Sequence, residues 1–358
     1  MAVALGFVIY PVIERDVINS DWPAFAMGAR LIAHDPAHLY DLDVQRRVQL
    51  EVTGGRTLVT LGIKGILPFL APAWVALLAI PFDLAGTELG GRLWILFGLA
   101  CLALGLYLAV RPRPPSAILP AFASVPTALL LLNAQLDGLV ALGIGAAITL
   151  WSRPYGAGLA LGLTLMKPQL VLPLGAALLL TRKWRVLAGW AAAGTALWAA
   201  AAVLNPRWVL DWLPVVRGTV QPGGREVDLA HFSTDLVPAA YQTPALLLLS
   251  LVALAGVMVL AYRRRNEFRP ALAILVAGGV LAAPHALPTD LVMVAVGLAI
   301  WGEAAWFDWL ALSVGAAIAI YLAPPLPAVI GVVLVGWLCL RIADLSAWRP
   351  GQEPASAG

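Results

Sequence analysis

Apolar positions along this chain gather into long unbroken runs, and polar residues are confined to the gaps between them. The runs are Gly65–Leu84, Arg92–Val110, Ala117–Leu132, Gly138–Trp151, Tyr155–Met166, Gln169–Leu180, Trp184–Leu204, Pro244–Tyr262, Pro270–Ala283, Leu291–Trp301, Trp306–Tyr321 and Leu326–Ala343. Runs of this kind predict membrane helices. Several are shorter than a full crossing and end at proline-containing polar breaks, as broken or half-helices lining a cavity would. The expectation is an all-α, polytopic integral membrane protein of roughly ten to twelve transmembrane helices. Residues 1–349 read as one domain and 350–358 as a disordered tail.

One stretch breaks the pattern. Glu14 to Lys64 is a polar island holding thirteen charged residues, and its apolar spacing predicts amphipathic helices in a first external loop. Met1–Ile13 before it is apolar, but as a helix it would reach only about 20 Å against a hydrocarbon core of about 30 Å. It lacks the basic and small-residue features of a signal peptide. Two readings stand: a short helix tilted into protein, or a start lying upstream, with the second preferred.

Basic clusters give the orientation. Arg153, Arg182-Lys183-Arg185, Arg263-Arg264-Arg265 with Arg269, and Arg341 with Arg349 belong on the cytoplasmic side. Alternation then places the Gln135–Asp137 break, Lys167-Pro168-Gln169, the large loop at 205–243 and Pro284–Asp290 together on the opposite face. Arg111-Pro112-Arg113 does not fit: with the island external, two crossings put this pair outside. A re-entrant Ala117–Leu132, broken by Pro120 and Pro126, restores the parity but leaves the arginines misplaced.

Composition agrees with a membrane protein. The chain is 61% hydrophobic and 12% charged, with mean hydropathy +0.86, whereas soluble domains are roughly a quarter charged. The net charge of +3 sits in topology-setting clusters and does not suggest nucleic-acid binding. Cys101 and Cys339 fall inside apolar runs and read as small buried hydrophobes. Trp208 and Trp212 suit an interfacial aromatic belt.

Candidate chemistry lies in the breaks. Asp21 opens a helical pattern with Trp22, Phe25, Ala29 and Ile32, which fits an N-cap. It also sits just past a first apolar segment, where a membrane enzyme acting on lipid-linked substrates would keep a base. His34 and His38 are separated by Pro36 and lack a companion Glu, so zinc is not expected there, and Asp35 and Asp41 read as caps. Lys167 lies between apolar runs, where a lysine is costly and usually faces a cavity. Snorkelling is its plain alternative, but its place opposite the basic face favours phosphate binding. His285 suits hydrogen bonding to an anionic head group, and Asp290 either caps the next helix or orients that histidine. Arg207, Arg217, Arg225, His231 and Asp235 lie in the large loop, where any could touch a ligand but solvation is the default.

Taken in order, these segments resemble glycosyltransferase family 87, polyprenol-phosphate-mannose-dependent enzymes of the GT-C fold. The resemblance rests on Asp21-Trp22 with Phe25, Leu39-Tyr40-Asp41 with Gln45, Pro68-Phe69-Leu70-Ala71-Pro72, Asn133-Ala134-Gln135, Lys167-Pro168-Gln169, and Pro284-His285 with Asp290. It departs from the family where Ala134 replaces a Gly, Asp137 an Asn and Thr289 a Tyr.

The resemblance implies a hexosyltransferase of the cell (inner) membrane, its active site on the external face. The donor would be a polyprenyl-phosphate-linked sugar needing no cofactor, which fits a sequence without a nucleotide-binding glycine loop or a metal cluster, and the acceptor a lipid or glycan, with the metal requirement left open. Asp21 would be the base of an inverting displacement. Lys167 and His285 would stabilise the departing phosphate, and Asp290, Gln135, Tyr40 and Asp41 complete the substrate-binding set. The competing expectation is a transporter or flippase of an amphipathic anion, since midmembrane lysines and broken helices also mark transport sites. No inverted repeat is visible to favour it.

Overall fold

A computed structural model describes residues 16–56, 66–219, 225–232 and 237–344. The apolar Met1–Ile13 and the tail lie outside the described residues. Helices and short 3-10 turns make up the regular structure, with no strand among the described residues.

The island folds into a packed layer. Helix α1 (Trp22–His34) buries Trp22, Phe25, Met27, Leu31 and Ile32, and its aromatic rings meet Phe69 and Trp94. Helix α2 (Leu42–Val52) starts at Asp41, whose carboxylate accepts from the Asp43 and Val44 amides, the expected cap. The side chains of Gln45 and Gln49 are buried and strap the incoming strand-like segment to α2: Gln45 accepts from Phe69 N (3.0 Å) and Gln49 from Leu67 N (2.9 Å).

The expected crossing Gly65–Leu84 is not one. Its helix, α3 (Ala73–Asp83), has 11 residues and spans about 16 Å. One of its ends meets the stretch before Lys167, and the other stays with the polar layer. Trp74 Nε1 donates to the Leu165 carbonyl at 3.2 Å, and Asp83 meets Arg30 of α1 at 3.1 Å. Helix α4 (Thr87–Val110) then starts on the same side, where Trp22 Nε1 donates to Thr87 O at 2.8 Å. A single long helix therefore separates the island from Arg111-Arg113. At its far end Arg113 donates to Ala299 O and Ile300 O, and Arg269 donates to Ala109 O and Ile300 O. The misplaced arginine pair joins the other basic clusters, because the apolar surface of α3 is covered by α1 rather than by lipid.

Pro120 and Pro126 open two short helices, α5 (Leu119–Phe122) and α6 (Val125–Leu132). With the preceding 3-10 turn they form a pair bent by 70°, as the two prolines predict. Helix α7 (Asp137–Thr149) runs parallel to α4 in backbone contact. A Cβ on Gly138 would stand 2.1 Å from Gly98 O, and one on Gly145 2.1 Å from Gly105 O. Small residues permit such close approach, and this seam fixes Asp137 beside the middle of α4.

Two hairpins of half-helices follow the same plan. Helix α8 (Pro154–Leu161) passes into a 3-10 stretch ending at Met166, and after Lys167 a second 3-10 turn leads into α9 (Leu172–Leu180). After α10 (Trp184–Leu204), α11 (Trp208–Thr219) and α12 (Ala239–Arg263), helix α13 (Phe268–Ala282) rises to the 283–287 break. A 3-10 turn holding Asp290 then leads into α14 (Val292–Trp301), followed by α15 (Trp306–Tyr321) and α16 (Leu326–Ala343). Trp151 packs on Phe268, and Arg264 lies 4.0 Å from Asp344, so the basic loops share one end of the bundle. The tips carrying Lys167 and Asp290 lie away from it.

Helices α4, α10, α12 and α16 are long and apolar enough to cross a membrane, and the bent pair makes a fifth if taken as one span. Among the described residues, seven other apolar helices are shorter. Where the sequence predicts roughly ten to twelve crossings, four or five helices among the described residues have the length and apolarity of a span, and the other apolar helices are shorter. This is a multi-pass membrane protein. Trp208 departs from the interfacial expectation: it is buried against Trp74, and Trp212 Nε1 donates to Leu70 O, so both clamp α11 onto the polar layer.

If the α4–α7 seam sets the depth of the site, Gly145→Leu forces two backbones apart. Its melting free energy in detergent falls by about 1–3 kcal/mol. Gly256→Leu, on α12 with nothing within 4 Å of its Cβ, melts like the parent protein. Equal melting of the two variants would remove the seam as a determinant.

Candidate active site

Asp21 occupies the position before α1, but its side chain makes no capping hydrogen bond. The capping expectation fails because Ser20 takes the role: its hydroxyl accepts from Trp22 N at 3.2 Å while donating to Val17 O at 2.6 Å. The half-buried Asp21 carboxylate turns instead toward the α6–α7 break. Its backbone N–H donates to Asn133 O at 3.2 Å, and the Gln135 amide donates to its Oδ2. Ala134 between these two has φ +54°, a left-handed conformation that favours glycine. The turn aims Gln135 back at Asp21, and Trp94 Nε1 donates to the Ala134 carbonyl at 2.9 Å.

Two residues after Gln135, Asp137 begins α7 and is fully buried. Lys167 Nζ donates to Asp137 Oδ2 at 2.9 Å and also to Asp290 Oδ1. Asp290 Oδ2 accepts from Leu287 N at 2.7 Å, so this residue caps its own 3-10 turn while holding the lysine. Among the described contacts it makes no bond to His285. A lone buried ammonium is prohibitive, and two carboxylates with good geometry compensate it. Snorkelling is excluded for Lys167, whose side chain is only 12% exposed. The second oxygen of Asp137, Oδ1, is buried without a hydrogen-bond partner.

His285 is joined to the large loop. Segment Arg225–Phe232 is not solvated as expected but lies against the 283–287 break. Val227 N donates to Ala286 O (2.7 Å), and Ala286 N donates to Asp228 Oδ2 (2.9 Å). Asp228 also receives the His231 amide at 2.9 Å and contacts its Nδ1 at 3.1 Å. Glu226 Oε1 stands 3.6 Å from His285 Nδ1, and the two imidazoles are 6.1 Å apart. Burial opposes a charge on His231, but the hydrogen bond and charge of Asp228, with Glu226, outweigh it and raise its pKa. This pocket favours a positive charge.

Asp21, Gln135, Asp137, Lys167, Asp290 and His285 thus fall along one line of contacts and short chain steps. Tyr40 and Asp41 have other engagements: the buried Tyr40 hydroxyl donates to Ala71 O at 2.9 Å, and Asp41 caps α2. Asp35 does not cap; its carboxylate takes exposed His38 at 2.8 Å. Asp235 and the side chain of Arg217 lie outside the described residues. The sequence reading passed over Glu226 and Asp228. Their signal, two acids flanking a valine in a polar loop, is common and local, whereas their partners come from another part of the chain.

No curated protein and no solved structure matches this chain. The family model for glycosyltransferase family 87 matches residues 69–288. The matched span contains Gln135, Asp137, Lys167, the Glu226–His231 segment and His285, while Asp21 and Asp290 fall outside it. The all-helical membrane architecture agrees with a GT-C enzyme. With more than half of its length matched, including the half-helix tip that carries Lys167, the chain belongs to glycosyltransferase family 87.

Proposed function

We propose that this glycosyltransferase moves a hexose, mannose by its family resemblance, from a polyprenyl-phosphate donor to a lipid or glycan acceptor. The carrying observation is that Asp21 does not cap its helix but is held by Gln135, beside the break that leads to the Lys167 cluster. A capping carboxylate is committed to backbone amides; one oriented by a side-chain amide keeps acceptor capacity for a substrate hydroxyl.

In this reading Asp21 accepts the proton of the acceptor hydroxyl as that oxygen attacks the anomeric carbon. The new carbon–oxygen bond forms as the bond to the donor phosphate breaks through an oxocarbenium-like state. Polyprenyl phosphate leaves with the electron pair, and the configuration inverts. Phosphate needs no protonation to depart, so a second carboxylate as acid is unnecessary.

Lys167 offers its third N–H to a phosphate oxygen, and His285, about half exposed at the tip of the other hairpin, faces the same ligand. Asp137 and Asp290 already hold the ammonium, so the cluster's first contribution is to lock the tips together. The half-helices leave apolar surface for the polyprenyl chain. The basic loops lie in the cytoplasm by the positive-inside rule, which puts Asp21 and its partners on the external face of the cell membrane. A transporter reading has lost its footing with membership in a transferase family.

Two measurements test this. Transfer of radiolabelled mannose from polyprenyl phosphate to membrane lipid extract falls on the order of 10²–10⁴-fold in Asp21→Asn, with unchanged melting because no cap is lost. Equal transfer by the two proteins would remove Asp21 as the base. Lys167→Met leaves two buried carboxylates unpaired and lowers stability by about 3–5 kcal/mol. Adding Asp137→Asn and Asp290→Asn to it restores the melting temperature but not transfer; a triple variant with full activity would reduce the cluster to scaffolding.

A further inference from the structure

The charges around the proposed substrate are badly matched to a leaving phosphate. Asp21, Asp137, Asp290, Glu226 and Asp228 bring carboxylates to this end of the bundle, and Lys167 is already shared by two of them. A dianionic phosphate needs positive charge at its departing oxygen. The residues around His285 have the form of a site that supplies it.

We propose that Glu226, His231 and His285 bind one divalent transition-metal ion of the zinc type. One ligand atom from each residue lies within 4.8 Å of the others, a spacing that small side-chain rotations close onto a single ion. Glu226 is 7% exposed and its Oε2 has no hydrogen-bond partner. A buried carboxylate oxygen left unpaired is costly and calls for a ligand. The separation of Glu226 Oε1 from His285 Nδ1, 3.6 Å, is long for a hydrogen bond but suits two ligands each about 2.0–2.2 Å from a shared tetrahedral ion.

The surroundings of His231 fit the same role. Asp228 takes its Nδ1–H, so Nε2 carries the lone pair and the ring is held in orientation. A carboxylate behind a metal-bound histidine does this in metal sites generally. Asp228 is itself fixed by the Ala286 amide, and Val227 pairs with Ala286 O, so the segments bearing the three ligands are tied together by backbone bonds. Two imidazoles and one carboxylate select zinc-like ions over magnesium, which prefers oxygen ligands. Three protein ligands leave a coordination position open, as catalytic zinc sites do. Resting on the transfer reaction proposed above, that position takes a non-bridging oxygen of the donor phosphate and withdraws charge as the glycosidic bond breaks.

The test uses the full chain in detergent, stripped with chelator and then given Zn²⁺ alone or Mg²⁺ alone, with bound metal measured by mass spectrometry and affinity by chelator competition. The wild type binds one Zn²⁺ per chain and no Mg²⁺, and zinc raises its melting temperature. Asp228→Asn weakens zinc binding about 10–100-fold, and Glu226→Gln and His231→Ala abolish the stoichiometric site while melting like the stripped wild type. His34 and His38 are the remaining two of the chain's four histidines, and His34→Ala/His38→Ala keeps its zinc. Absence of stoichiometric zinc in the wild type overturns the proposal, as does zinc that survives Glu226→Gln or is lost with His34 and His38. Sugar transfer is measured separately. Transfer by fully stripped enzyme removes the metal's part in the reaction, whereas bound zinc without transfer from polyprenyl phosphate sinks the substrate reading and leaves the metal site standing.

Discussion

A lysine buried among apolar half-helices sets the terms for the rest of this protein. Lys167 sits at the tip of one hairpin and cannot be charged there without partners, so Asp137 at the start of α7 and Asp290 at the tip of the second hairpin must reach it together. Three chain segments far apart in sequence are fixed at one point. The glycine seam between α4 and α7 sets where that point lies, beside the middle of a long apolar helix, because Gly138 and Gly145 let α7 lie against the α4 backbone. From there Gln135, two residues before Asp137, reaches Asp21, and Leu287, hydrogen-bonded to Asp290, leads to His285. The site is thus an extension of one buried ion cluster.

The polar layer gives that cluster its cover. Helix α1 is more deeply buried than an amphipathic surface helix, since α3 and an aromatic cluster of Phe25, Phe69, Phe82 and Trp94 close over it. Helix α11 is clamped onto the same layer through Trp208 and Trp212, and the Arg225–Phe232 segment is bonded to the 283–287 break. Loops that would be mobile if solvated are held by backbone and indole hydrogen bonds. A transferase needs such cover, because water that reaches an activated anomeric carbon competes with the acceptor.

Much of this was legible in the sequence wherever cost is steep. An ionisable residue between apolar runs is rarely idle, which singled out Lys167, and the basic clusters brought four separate breaks to one end. Two prolines foretold the bend at 115–132. Other features were hidden for physical reasons. Apolar length does not distinguish a helix covered by protein from one covered by lipid, so α3 passed for a crossing and Arg111-Arg113 for an anomaly. Local capping rules assigned Asp21 to its helix because they do not weigh a serine one residue earlier. The departures from the family pattern gained a meaning only in three dimensions: Ala134 stands in a left-handed conformation where glycine is usual, and Asp137 adds a second carboxylate to the lysine. Glu226 and His231 gave only the weak signal of polar residues in a loop, because their partner His285 arrives from a distant break.

The central claim is that the polar end of this family 87 enzyme takes a polyprenyl-phosphate sugar with the reacting carbon presented to Asp21. A structure with a non-hydrolysable polyprenyl-phosphonate sugar bound tests it most directly. The account predicts the sugar over the Asp21 carboxylate, the phosphonate at the His285 and Lys167 tips, and the polyprenyl chain along the half-helices. Density for the head group at the basic end beside Arg113 and Arg269, or a sugar turned away from Asp21, would contradict it.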